Sequence, residues 1–210
     1  MKKIVLATAI AALSTAASAQ YYVQGDIGLS KPEYKLVDED IKLKGNDLGF
    51  RVAVGTDTGN VRYELDYTNY GKADYSGSGS ESMNGISADY NETLEVKAQS
   101  IGLSAIYDFA SMNNFTPYVG ARVAWNKFTG DAMGDYKIYD SATNYIIESG
   151  SSKEEIVDTD EIGYGVLAGV QYTVSPKMAV NAGVEYNYLG EFTDAKANQY
   201  GAKVGLRYNF

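Results

Sequence analysis

Gln199-Tyr-Gly-Ala-Lys-Val-Gly-Leu-Arg-Tyr-Asn-Phe210 decides how the rest of the chain is read. Tyr200, Ala202, Val204, Leu206, Tyr208 and Phe210 alternate with Gly201, Lys203, Gly205, Arg207 and Asn209. The first set is apolar or aromatic, and the second is polar or glycine. A period of two is that of a β-strand, whose successive side chains point to opposite faces. Cations on one face, with aromatics at both ends of the other, suit a strand with lipid outside and a polar interior. The expectation is a closed barrel.

Working outward, seven more segments alternate in the same way: 21–31, 46–55, 61–71, 97–109, 116–128, 161–174 and 177–189. Most are near the length that crosses a bilayer as a tilted strand. The expected outer face (Phe50, Val52 and Val54, for example, or Ile101, Leu103 and Ala105) carries no charge. Its aromatics sort into two rims. From Tyr200 to Tyr208 a strand tilted by about 40° climbs roughly 20 Å, close to the apolar band of such barrels. The connections alternate too. Those at 56–60, 110–115 and 175–176 are short, whereas 32–45, 72–96, 129–160 and 190–198 are longer. Short turns at one end and long loops at the other fit an eight-stranded antiparallel transmembrane up-and-down β-barrel, with the loops outside and both termini periplasmic. A soluble ligand barrel puts apolar side chains inside, and explains neither the aromatic rims nor the loop asymmetry.

The start of the chain agrees with export. Lys2 and Lys3 precede the apolar run Ile4–Leu13, and Ala17-Ser18-Ala19 is a small-residue cleavage site. Residues 1–19 therefore read as a signal peptide, leaving a barrel domain over 20–210. The whole chain carries 18 basic and 27 acidic residues, a net of −9, and losing the two signal lysines makes it −11. An acidic chain is a poor nucleic-acid binder. There is no Cys to staple loops and no His to serve as a general base or metal ligand. No catalytic, cofactor or metal site is expected, and no ordered ligand spacing appears among the loop acids. Gly163-Tyr-Gly-Val-Leu-Ala-Gly169 imitates a dinucleotide loop, but its third glycine is one place late and the strand continues.

Inward positions carry Asp26, Glu64, Asp66, Asp108 and Glu185 against Arg51, Arg62, Arg122, Lys203 and Arg207. Buried charges must pair. An eight-stranded barrel is just wide enough for side chains to fill. The balanced set reads as a structural ion-pair plug. The alternatives are a narrow path for small solutes or apolar ligands, which would favour rings of one sign, and a purely structural barrel. Loops 72–96 and 129–160 are acidic, and Ser76-Gly-Ser-Gly-Ser80 and Ser149-Gly-Ser-Ser152 suggest flexibility. Their apolar residues Met83, Ile86, Met133, Tyr139, Tyr145, Ile146 and Ile147 suggest a partner-binding surface.

Tyr21-Tyr-Val-Gln-Gly-Asp26, Phe50-Arg-Val-Ala-Val-Gly55, Val61-Arg-Tyr-Glu-Leu-Asp-Tyr67, Ser100-Ile-Gly-Leu-Ser-Ala-Ile-Tyr-Asp-Phe109, Thr116-Pro-Tyr-Val-Gly-Ala-Arg122 and Ala182-Gly-Val-Glu-Tyr-Asn-Tyr-Leu-Gly190 resemble strands of the opacity family of outer-membrane proteins. The resemblance covers the strands and fails in the loops. It implies a monomeric, porin-like barrel embedded in outer-membrane lipid and lipopolysaccharide. Its surface loops would act as an adhesin toward a host or other surface receptor. Family members bind cell-adhesion receptors or heparan sulfate through variable loops, so no binding residue carries over. The acidic loops here argue against anionic heparan sulfate. Tyr208 and Phe210 resemble the terminal signal read by the outer-membrane assembly machinery.

Overall fold

The computed structural model describes residues 20–36, 42–192 and 195–210. The expected signal peptide, residues 37–41 of the first connection and residues 193–194 of the last lie outside them. Among the described residues nine strands form: β1 (Gln20–Leu36), β2 (Lys42–Lys44), β3 (Asp47–Asp57), β4 (Val61–Met83), β5 (Ile86–Asp108), β6 (Phe115–Asp140), β7 (Ile146–Ser175), β8 (Met178–Phe192) and β9 (Ala195–Asn209). All pairings are antiparallel, in the order β1-β3-β4-β5-β6-β7-β8-β9, and β9 returns to β1. This is an all-β, eight-stranded ring. β2 folds back on the top of β1 alone, from Glu33↔Lys44 to Lys35↔Lys42.

Closure rests on fifteen register pairs between β1 and β9, from Tyr22↔Asn209 to Leu36↔Ala195. Phe210 N donates to Tyr21 O at 3.0 Å, carrying the seam to the last residue. A closed ring leaves no unpaired edge in hydrocarbon. The short end is made by tight turns. Asn113 and Asn114 both have positive φ, and Met112 and Phe115 exchange backbone hydrogen bonds of 2.8 and 2.9 Å. That is a two-residue turn whose twist matches its strands.

At the other end the structure departs from the expected flexible loops. β4 and β5 run 23 residues each, β6 26 and β7 30, whereas about 9–11 cross a bilayer. The excess of each strand continues the ladder, so Ser76–Ser80 and Ser149–Ser152 are paired strand. Aromatics supply the reason. Tyr90 lies across from Gly79, and Tyr136 across from Gly150. A Cβ on either glycine would run into the facing ring. A cross-strand ring covers a glycine that has no side chain of its own to pack. An Asn84-Gly85 turn, both residues at positive φ, closes β4 onto β5.

Candidate functional site

The lumen is filled in layers. Arg51 sits at the centre, donating to Asp26 at 3.1 Å, to Asp66 at 3.4 Å and to Glu64. Arg122 grips Asp66 with two nitrogens, Nε at 3.0 Å and Nη2 at 2.6 Å, and donates to Tyr70 Oη at 2.6 Å and Ser100 Oγ at 2.8 Å. Arg62 holds Asp108 at 2.7 and 2.8 Å and reaches Glu64 at 3.5 Å. Seven of the ten charged residues singled out from sequence thus form one network. Glu185 and Lys203 form a separate pair at 2.6 Å. Arg207 turns to Asp57 at 2.7 Å and to Gln171 and Asn209. Two-pronged guanidinium–carboxylate contacts are the strong form of this bond.

The sequence reading missed three participants. Asp57 is Arg207's carboxylate. Tyr22 Oη donates to Glu64 at 2.7 Å, and its ring lies 3.8 Å beneath the Arg207 guanidinium. Tyr70 anchors Arg122. Alternation carried the signal for two of them: Tyr22 shares a face with Asp26, and Tyr70 shares one with Arg62, Glu64 and Asp66. Above the charges sits an apolar layer of Tyr34, Tyr70, Ala73, Val96, Phe128 and Leu189. Below them Ile106, Tyr118 and Leu167 pack together. Voids beside Lys203 and beside Asn181 measure about 20 and 10 Å³, room for about one water each.

The outer surface carries the second feature. Through the band it is apolar, with Val52, Ile101, Val123, Val166 and Val204 all more than half exposed. Ring pairs mark both rims: Phe115–Tyr172 and Tyr208–Phe210 at the short-turn end, Tyr164–Tyr188 and Tyr186–Tyr200 at the other. Phe210 is 66% exposed. Just above the second rim the polarity inverts. On β5 the outward residues change from Leu103 and Ile101 to Gln99, Lys97, Glu95, Thr93 and Asn91. The inward ones change from Ser104 and Ser100 to Ala98, Val96 and Leu94, followed by Glu92 and Tyr90. β4 follows because it gains a residue between Asn69 and Lys72, where Gly71 has φ +76°. The bulge puts Tyr70 and Ala73 on the same side.

Above this level β4 to β7 rise as a four-stranded sheet. Its outer face is polar. Its other face, continuous with the lumen wall, carries Tyr75, Met83, Ile86, Tyr90, Tyr136 and Ile138, interspersed with Glu81, Glu92, Glu148 and Glu154. Of the apolar loop residues singled out from sequence, Met83 and Ile86 lie on this inner face. Met133 and Tyr139 lie on the outer face, and Tyr145 and Ile146 at the β6–β7 tip. At the base, Glu95 accepts from Lys72 and Lys97, each at 2.7 Å. The Lys72 and Lys97 hydrogen bonds hold its carboxyl below the usual range.

A closed antiparallel ring with an apolar, twice-girdled exterior and a charged, filled interior defines a small transmembrane β-barrel of the outer-membrane type. The model of the family described as "Opacity family porin protein" matches residues 54–210. The chain belongs to the opacity family of outer-membrane β-barrel proteins. An uncharacterized protein of Haemophilus influenzae is 35% identical over the full length of both chains. The "Protein opa" of the same organism is 36% identical over 75% of this chain and all of its own length. Opacity protein opA67 of Neisseria gonorrhoeae is 30% identical over 76% of each. Among solved structures, Neisserial surface protein A superposes with a TM-score of 0.58 and 26% identity, covering 92% of this chain and 99% of that one.

Proposed function

We propose that this barrel is a surface-interaction protein, an adhesin whose projecting sheet stands outside the cell and meets a partner. The observation that carries the reading is the inversion of polarity. A sheet face bearing half-exposed Tyr75, Tyr90 and Tyr136 above the membrane band offers a partner a cluster of exposed aromatic surface. On this reading residues 1–19 direct export, and the short turns and both termini face the periplasm. The outward face meets lipid and lipopolysaccharide, Tyr208 and Phe210 present the assembly signal, and the lumen network braces the wall of a monomer without conducting.

The test shortens the sheet. Residues 76–93 and 135–151 are removed and each gap closed by Asn-Gly, joining Tyr75 to Leu94 and Gly134 to Ser152, which already face each other. The shortened barrel should keep its heat-modifiable migration on gels, and cells expressing it should lose adherence to an epithelial monolayer. Undiminished adherence with a folded barrel overturns the proposal.

A further inference from the structure

The two sides of the projecting sheet are not alike. β3 pairs with β4 only as far as Phe50↔Asn69, and among the described residues β5 alone pairs with β4 beyond that point. Gly45 lies against Lys72 and Ala73, so the open edge begins at Asp74. From there to Met83 β4 runs without a register shift or a proline, about 30 Å of backbone edge that no other described strand pairs. On the far side β7 is paired by β8 only up to Tyr164. Its edge above that carries two register shifts, with Ile156 and Ile147 as the extra residues. Bulges are among the devices that blunt an edge against added strands. One edge is bulged, and the other is unbroken in register and rich in Gly and Ser.

We infer that the β4 edge, Asp74–Met83, takes an added strand from a partner protein, an extended segment that alternates basic and apolar residues. Strand addition draws affinity from the backbone and specificity from alternate side chains. On the outer face the neighbours are Asp74, Ser76, Ser78, Ser80 and Ser82. On the inner face they are Tyr75, Gly77, Gly79, Glu81 and Met83. Gly77 leaves room beside Tyr75 that an apolar side chain of an added strand would fill, and the Tyr90 ring over Gly79 offers it an apolar neighbour. The charge follows from the sheet as a whole: residues 72–97 and 127–161 hold fourteen acids against five lysines and no Arg. That field attracts a cationic segment and repels a second copy of the same sheet. The inference rests on the proposed surface-interaction reading and names its partner's chemistry.

The probe is a ten-residue peptide of alternating Lys and Val, added to the intact barrel in lipid nanodiscs and read by amide hydrogen exchange. Alternate amides between Ser76 and Ser82 should slow at least tenfold. The same peptide N-methylated along one edge should give no protection, and a Glu/Val peptide should bind at least tenfold more weakly. Adjacent strand residues point their N–H groups to opposite sides. Of Ser78→Pro and Gly79→Pro, one should therefore abolish protection with the β4–β5 ladder intact. Protection confined to β7, protection in both proline variants, or concentration-dependent protection without peptide, as self-pairing would give, overturns the inference. If the peptide fails while sheet shortening still abolishes adherence, the edge inference falls alone. If adherence survives shortening while the peptide protects β4, the adhesin reading falls alone.

Discussion

Arg51 answers to three carboxylates on two strands, Asp26 on β1 and Glu64 and Asp66 on β4, with only 4% of its side chain exposed. Arg51→Ala leaves them facing one another in a closed lumen. Loss of one partner from a buried ion pair costs about 3–5 kcal/mol, so the urea midpoint of the barrel refolded in lipid should fall sharply. Arg51→Ala combined with Glu64→Gln should recover part of the loss. Gly28 is a second test. A Cβ there would run into the Ala202 carbonyl and the Lys203 Cα across the closing seam, and backbone cannot step aside. Gly28→Ala should destabilise the barrel by about 1–3 kcal/mol, whereas the same change at Gly25, where a Cβ meets nothing within 4 Å, should be tolerated. Simple alternation makes the ten lumen charges legible, because each lies on the face opposite Val, Leu or Ile. Asp57 escapes that reading because it lies where a turn begins, and its partner Arg207 is 150 residues away. Such a pair exists only once the ring closes.

The strands themselves were legible, since each of the eight expected segments falls within one strand of the ring to within two residues. Their upper halves were not. Gly and Ser are poor strand formers taken alone, and Ser76–Ser80 becomes strand through the β5 residues opposite it, among them Tyr90. The bulge at Gly71 hid the pattern further, because it shifts the inward parity of β4 from even to odd residues. Paired strand should be slow to exchange. Amides of 86–95 on β5, with a neighbour on each side, should be protected well above those of the β6–β7 tip at 141–145, and equal fast exchange would restore the flexible loops. Acid should loosen the base of the sheet. The Glu95 carboxyl titrates below its ordinary value. Its hold on Lys72 and Lys97 is therefore complete above the ordinary carboxylate pKa and is lost as pH falls through the lowered one. Exchange near Lys72 and Lys97 should quicken on acidification, and Glu95→Gln should be quick already and insensitive to that step.

Across the whole molecule, one alternating pattern serves two solvents. Within the band apolar side chains face out to lipid and charges face in. Above it the sheet turns a polar face out and keeps its aromatic residues Tyr75, Tyr90 and Tyr136, among glutamates, toward the axis. Tyr34, Phe128 and Leu189 lie at the crossing and cap the charged layers. A lumen filled in this way should be silent: the purified barrel in planar bilayers should show no steady openings, and sizeable regular conductance would contradict the plug. Orientation is tested most directly by labelling, because the chain has no cysteine of its own. Single cysteines at Ser78 in the projecting sheet and at Asn113 in a short turn are exposed to a membrane-impermeant maleimide on intact cells. Labelling at Ser78 with Asn113 reached only after lysis is the expected result. Labelling of Asn113 on intact cells with Ser78 protected would put the projecting sheet in the periplasm and contradict the account.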